Sequence, residues 1–150
     1  MTTGDICNRN VVVAPKTEMV VDAAKRMRMA HVGDLVVVED RKGQHVPIGI
    51  VTDRDIVVSV VAGDADHINY LNLNDMMSDD LVTAKEQDSI ESALQRMKEH
   101  GVRRLPIVDA AGALVGILTM DDLWRHFTQQ QGLLVELMAS EEHRERHFRV

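Results

Sequence analysis

Aromatic side chains are scarce in this 150-residue sequence, which has two Phe, one Tyr and one Trp. With only Phe127, Phe148, Tyr70 and Trp124, the core must be aliphatic, and the composition argues against an aromatic stacking surface for single-stranded nucleic acid. Cysteine is limited to Cys7, which rules out an intrachain disulfide framework and fits a reducing cytoplasm. Its thiol reads as a small apolar filler near a strand. There is no surplus of positive charge: the net charge is −7, against nonspecific binding to DNA, RNA or an anionic membrane. A local basic patch would still serve a small anionic ligand. Neither a long apolar span nor a basic, apolar leader is present, so no membrane helix or signal peptide is expected. Nucleophile-elbow, phosphate-loop and paired-Cys motifs are also missing.

What is present is a repeat. G-I-V-T-D-R-D at residues 49–55 returns as G-I-L-T-M-D-D at 116–122, each after an apolar run and ahead of a helix-compatible stretch. Upstream, Ala23 and Ala93, Met27 and Met97, Leu35 and Leu105, and Val38 and Val108 match at an offset of 70 residues. Self-similarity of this length means two copies of one folding unit. Units of this size are marginal alone, so they are expected to fold against each other.

The second copy gives the cleaner pattern. A strand is expected over 81–84, then a helix capped by Asp88 or Ser89 with Ile90, Ala93, Leu94 and Met97 at helical spacing. Gly101 is a good helix stop. Strands follow over 105–108 and 114–118 around a turn at 109–112, and Asp121 and Asp122 head the next helix, where the macrodipole favours anions. The first copy repeats this order: strand 11–14, helix 20–30, strand 35–38, a polar turn over 39–44, strand 48–51 and helix 54–62. The fold class is therefore α+β, two β-α-β-β-α units with sheets covered by helices. The units are assigned to 4–63 and 74–130, with a linker at 64–73 and a helical tail at 131–150. In that tail Leu133, Leu134, Leu137 and Met138 share one helix face, either as a partner contact or packed on their own domain.

The G-h-h-T-x-x-D element, with G-V-R-R-L-P-I-V-D at 101–109, resembles the cystathionine-beta-synthase (CBS) domain. Two in tandem resemble a Bateman module, a pair with pseudo-two-fold symmetry that binds adenosine-containing ligands. The chemistry of the element suits this. Asp55 or Asp122, placed where a strand hands over to a helix, can accept both hydroxyls of a ribose. Thr52 or Thr119 can reach a ribose oxygen or phosphate, and Gly49 or Gly116 allows close backbone approach. The competing reading makes Thr and Asp an N-cap and a first-turn acid. For phosphate, Arg103 and Arg104 offer a guanidinium fork. The first copy has Gly33 and Asp34 at that place, leaving His31 and Arg54 as partial substitutes. The resemblance places adenine against Val12, Val13, Val82, Thr83, Leu105 and Pro106, each of which serves equally as core. His143 with His147 has no third ligand in view for a metal. Asp121 with Asp122, or Asp79 with Asp80, could hold Mg²⁺ carried in by a nucleotide, though capping and turns account for them.

The resemblance implies a non-catalytic adenine-nucleotide sensor (AMP, ADP or ATP), a cytoplasmic homodimer acting on an unknown partner supplied in trans, with no required cofactor and no nucleic acid or membrane partner. Alternatives are another adenosine ligand such as NAD(H) or S-adenosylmethionine, a dimerisation module with empty clefts, or a nucleotide hydrolase. The last would need an activated water or nucleophile, for which no base is in view.

Overall fold

The computed structural model describes residues 1–77 and 80–148. In chain order it contains α1 (Thr3–Ile6), β1 (Val13–Pro15), α2 (Val20–Ala30), β2 (Asp34–Arg41), β3 (Gln44–Thr52) and α3 (Asp53–Asp55). A π-helical stretch (Ile56–Val61), α4 (Ala62–Asp64), a 3-10 segment (Ala65–Tyr70) and α5 (Leu73–Met76) lead to the second unit. That unit is built from β4 (Ala84–Lys85), α6 (Ile90–His100), β5 (Arg104–Val108), β6 (Leu114–Thr119) and α7 (Met120–Phe148).

Each unit is a three-stranded sheet with its middle strand parallel to the first and antiparallel to the third. The parallel pairs are bridged by α2 and α6, which begin and end where their side chains dictate. Ser89 caps α6 by accepting from the Ser92 N–H, and Gly101 closes it in the left-handed region, φ 64. His31 takes the same left-handed position after α2, φ 54, a place histidine tolerates better than most side chains. Val20, Ala23 and Met27 of α2 and Ile90, Ala93 and Met97 of α6 are buried, so the helical spacing marks the inward faces. Leu94 lies outside that face and is exposed. Arg26 and Arg96, again 70 apart, donate to the backbone carbonyls of Val13 and Thr83.

Chain is exchanged at both ends of the repeat. Residues 2–8, placed with the first unit on sequence, lie against the second: Thr3 and Gly4 N–H donate to Asp88 O and Glu86 O, and Asn8 exchanges two bonds with Ile117. The Thr3 hydroxyl, fully buried, donates to Lys85 O. Residues 72–77 do the same for the first unit, with Leu73 and Asn74 N–H on Glu18 O and Lys16 O. The last residue of the expected linker, Leu73, is fully buried in the first core, while residues 64–67, 69 and 70 are exposed. A third apolar cluster joins the sheets, with Val36 and Val38 from one and Ile117 from the other.

Other differences have local causes. Only Val13–Pro15 and Ala84–Lys85 find ladder partners, so both first strands are shorter and later than expected. The turn after β2 shrinks to Lys42 and Gly43, both at positive φ, the geometry that lets a tight hairpin follow strand twist. The tail continues α7 without a break but does not pack on its own domain: beyond Leu123 the helix has no buried residue, and Leu133, Leu134, Leu137 and Met138 are all exposed.

Deleting residues 131–150 should therefore leave a single cooperative thermal transition, because no core side chain is lost. Light scattering on the same samples reads whether the tail sets the oligomer. A truncated chain without a cooperative transition would show that the tail supports the core.

Candidate functional site

Between the sheets lie two clefts. The larger, about 500 Å³, is lined by Val11, Val12, His31, Val32, Gly33 and Asp34 from the first unit, and by Thr119, Asp121, Asp122 and Arg125 from the second. The smaller, about 340 Å³, is lined by Leu81, Val82, Gly101 and Val102 from the second unit and by Ile50, Thr52 and Asp55 from the first. Arg103 and Arg104 line both. Equivalent positions build the two clefts, but each is composite: the Thr-Asp pair of one unit faces the residues just ahead of the other's first strand, Val11 and Val12 or Leu81 and Val82. Sequence matching found both components without pairing them across units.

Each Thr-Asp pair is held by its own helix start. The Thr119 N–H and hydroxyl donate to Asp122 Oδ2 at 2.9 and 2.7 Å, and the Asp122 N–H donates back to Thr119 Oγ1 at 3.2 Å. In the first unit the Thr52 N–H donates to Asp55 Oδ2 at 2.8 Å and the Asp55 N–H to Thr52 Oγ1 at 3.1 Å. These are capping boxes, so capping is part of the role of all four residues. The same arrangement recurs at Asn72 and Asp75, and the Thr2 N–H likewise donates to Asp5, and none of these residues lines either of the two clefts. Capping geometry alone therefore marks no ligand site; position at a cleft does. Asp55 Oδ1 and Asp122 Oδ1 accept no hydrogen bond among the described residues, and both carboxylates are partly exposed to their clefts.

The phosphate candidates divide. His31, Arg103 and Arg104 line clefts, whereas Arg54 is exposed and lines neither. Arg104 is not idle. Its Nε donates to Asp34 Oδ2 at 2.6 Å, with side chains 34% and 19% exposed. Asp34 and Arg104 are the matching first residues of β2 and β5, so the apparent gap in the first unit is a cross-unit ion pair. Arg125, at a second turn of α7, is a further cation at the larger cleft that motif matching missed because its helical register becomes relevant only once the units are packed.

The adenine candidates divide as well. Val12 and Val82 line clefts. Val13, Thr83, Leu105 and Pro106 line neither. Leu105 and Pro106 are buried in β5, and the Val13 and Thr83 carbonyls are taken by arginines of α2 and α6. Gly49 and Gly116 admit close approach by this chain itself. A Cβ on Gly116 would stand 2.5 Å from Cys7 Sγ and 3.1 Å from Asn8 O, and one on Gly49 would stand 2.8 Å from Met77 Sδ. Burial pushes the Cys7 thiol above its ordinary range, so it stays protonated and acts as packing. Among the described residues no group of three His, Cys, Asp or Glu side chains is arranged for a metal. Asp79 lies outside the described residues. No helix there is long and apolar enough to cross a membrane.

The CBS domain family model matches residues 4–62 and 73–123, and the chain belongs to that family. It is 35% identical over 130 residues to hypoxic response protein 1 of Mycobacterium tuberculosis, covering 86% of this chain and 87% of that one. It is 36% identical over 123 residues to the uncharacterized protein MK0525 of Methanopyrus kandleri, covering 82% of this chain but only 61% of that protein's length. The solved CBS domain pair of protein MJ0100, in complex with 5'-methylthioadenosine and S-adenosyl-L-methionine, superposes with a TM-score of 0.75 at 23% identity, covering 87% of this chain and 98% of that one. This last likeness is one of fold.

Replacing Gly116 by Ala should destabilise the protein by about 1 to 3 kcal/mol, since both the sulfur and a backbone oxygen block the added methyl. Gly49→Ala should cost less, because the flexible end of Met77 can swing aside. Adding Cys7→Ala to Gly116→Ala should recover part of the loss. Urea midpoints unchanged from the unaltered protein in both glycine variants would show that the exchanged segments do not press on these strands.

Proposed function

We propose that the two clefts bind adenosine-containing ligands and that the chain is a non-catalytic regulatory module. The observation that carries this is the composite build of each cleft, with an apolar valine from one repeat opposite a ribose-competent carboxylate from the other. In the larger cleft adenine would rest on Val12 and ribose hydroxyls would donate to Asp122; in the smaller, Val82 and Asp55 take those parts. Arg103 and Arg104 stand where a phosphate chain would end, with His31 beside the larger cleft. The adenosine ligands named for the MJ0100 pair support the same class. Within that class we favour an adenine nucleotide, because Arg103 and Arg104 line both clefts and Asp34 neutralises only one of them. A nucleotide can bring Mg²⁺ to Asp121.

Ligand binding regulates only by favouring one of two conformations. A composite cleft supplies the means, since its occupant touches both units. The readout passes to a second copy of the chain or to a protein partner. Exposed Val57, Val58 and Val61, together with Trp124 and Phe127 of α7, offer apolar surface for such self-association. Hydrolysis is disfavoured because both threonine hydroxyls at the clefts serve helix caps, and the one that meets a carboxylate among the described residues, Thr119 on Asp122, does so within its cap.

Adenosine nucleotides should raise the melting temperature and guanosine or cytidine nucleotides should not. Ligand at about 100 times its dissociation constant stabilises by about 2.7 kcal/mol, a rise of about 5 to 10 °C for a module of this size. Asp122→Ala should weaken adenosine at the larger cleft by about 2 to 4 kcal/mol, and Asp55→Ala should do so at the smaller, because hydrogen bonds to a charged group are lost. Each variant should also be about 1 kcal/mol less stable without ligand, from the lost cap. The Arg103→Ala, Arg104→Ala pair should weaken AMP strongly and adenosine little. No response to any adenosine compound at millimolar concentration would refute the proposal.

A further inference from the structure

Two clefts share a single pair of arginines, and one of those arginines already holds an anion of the protein itself. Arg103 and Arg104 line both clefts, and Asp34 accepts from Arg104 Nε. The position is set by the strands. In the ladders Asp34 lies opposite Thr52 and Arg104 opposite Thr119, so each member of the ion pair is the cross-strand neighbour of one cleft's capping threonine. The exact repeat of the backbone would put like residues together at this meeting point of the units. Two arginines would repel there, two aspartates would exclude phosphate, and the Asp-Arg combination neutralises itself while leaving Arg103 without a side-chain partner among the described residues.

Resting on the nucleotide reading above, we infer that Asp34 is the specificity-determining residue of the paired clefts: it competes with ligand phosphate for Arg104, so that anionic ligands occupy one cleft at a time while neutral adenosine occupies both. An incoming phosphate gains a guanidinium fork only by displacing the Asp34 carboxylate or sharing its donor. Once a phosphate in the larger cleft holds Arg103 and Arg104, a second from the smaller cleft meets a like charge, and that cleft's lining offers no other cation, whereas Arg125 lies on the larger side. A neutral nucleoside leaves the Asp34–Arg104 pair intact and has no stake in the contest.

Calorimetric titration of the whole chain with adenosine and with AMP tests this. Adenosine should fill two sites and AMP one, and saturating AMP should block one of the two adenosine sites. Asp34→Asn, nearly isosteric, should tighten AMP about fivefold to tenfold, as release of a half-buried ion pair allows, and change adenosine less than about twofold. The stoichiometries on the unaltered protein need no variant, so a misfolded Asp34→Asn does not rescue the idea. Two equal AMP sites, or equal effects of Asp34→Asn on both ligands, would overturn this inference and leave the nucleotide reading standing. Failure of adenosine to bind at all would overturn that reading and this inference together.

Discussion

Residues 2–8 lie on the second sheet and residues 72–77 on the first, and this reciprocal exchange governs the rest of the molecule. Both short segments begin with the same pair of main-chain bonds, Thr3 and Gly4 to Asp88 and Glu86, Leu73 and Asn74 to Glu18 and Lys16. Both end with a sulfur-bearing side chain over a glycine, Cys7 on Gly116 and Met77 on Gly49. Units of this size are marginal alone. Here each is completed by chain that lies between or ahead of the repeats, and the cluster of Val36, Val38 and Ile117 joins the two sheets. Clefts made from both units follow directly.

Much of the fold is legible in the residues. The spacing of Ala23 and Met27, and of Ala93 and Met97, identifies the buried faces of α2 and α6; Gly101 marks a helix end; the apolar runs at 35–38 and 105–108 are the middle strands. The exchanged segments were not legible. Helices of four residues have no periodicity to detect, and only Asp5 and Asp75 match across the 70-residue offset there. The tail shows the opposite limit: its apolar stripe is visible in sequence, yet a stripe does not say what it faces, and Leu133 to Met138 face no part of their own domain.

For the site, residue types were readable and partnerships were not. Thr52, Asp55, Thr119 and Asp122 all reach clefts, as do His31, Arg103, Arg104, Val12 and Val82. Arg54, Val13, Thr83, Leu105 and Pro106 do not, because strand pairing and helix starts turn them elsewhere. Motif comparison treats each repeat separately and so joins Asp122 to Val82, whereas packing joins Asp122 to Val12 and His31, with Arg103 and Arg104 at both clefts. The same blindness made Asp34 look like a lost phosphate ligand. Seen across the pseudo-two-fold, it is the partner of its own counterpart, Arg104, and one exchanged charge makes two similar clefts unequal in what they accept.

The composite build of the clefts is the central claim, and a crystal structure of the protein with adenosine tests it most directly. Ribose hydroxyls are expected on the Asp122 carboxylate with adenine against Val12 of the other repeat, and the mirror arrangement of Asp55 with Val82. Adenine seated against Leu105 or Pro106 beside the Asp122 of its own repeat, or adenosine bound away from both carboxylates, would contradict it.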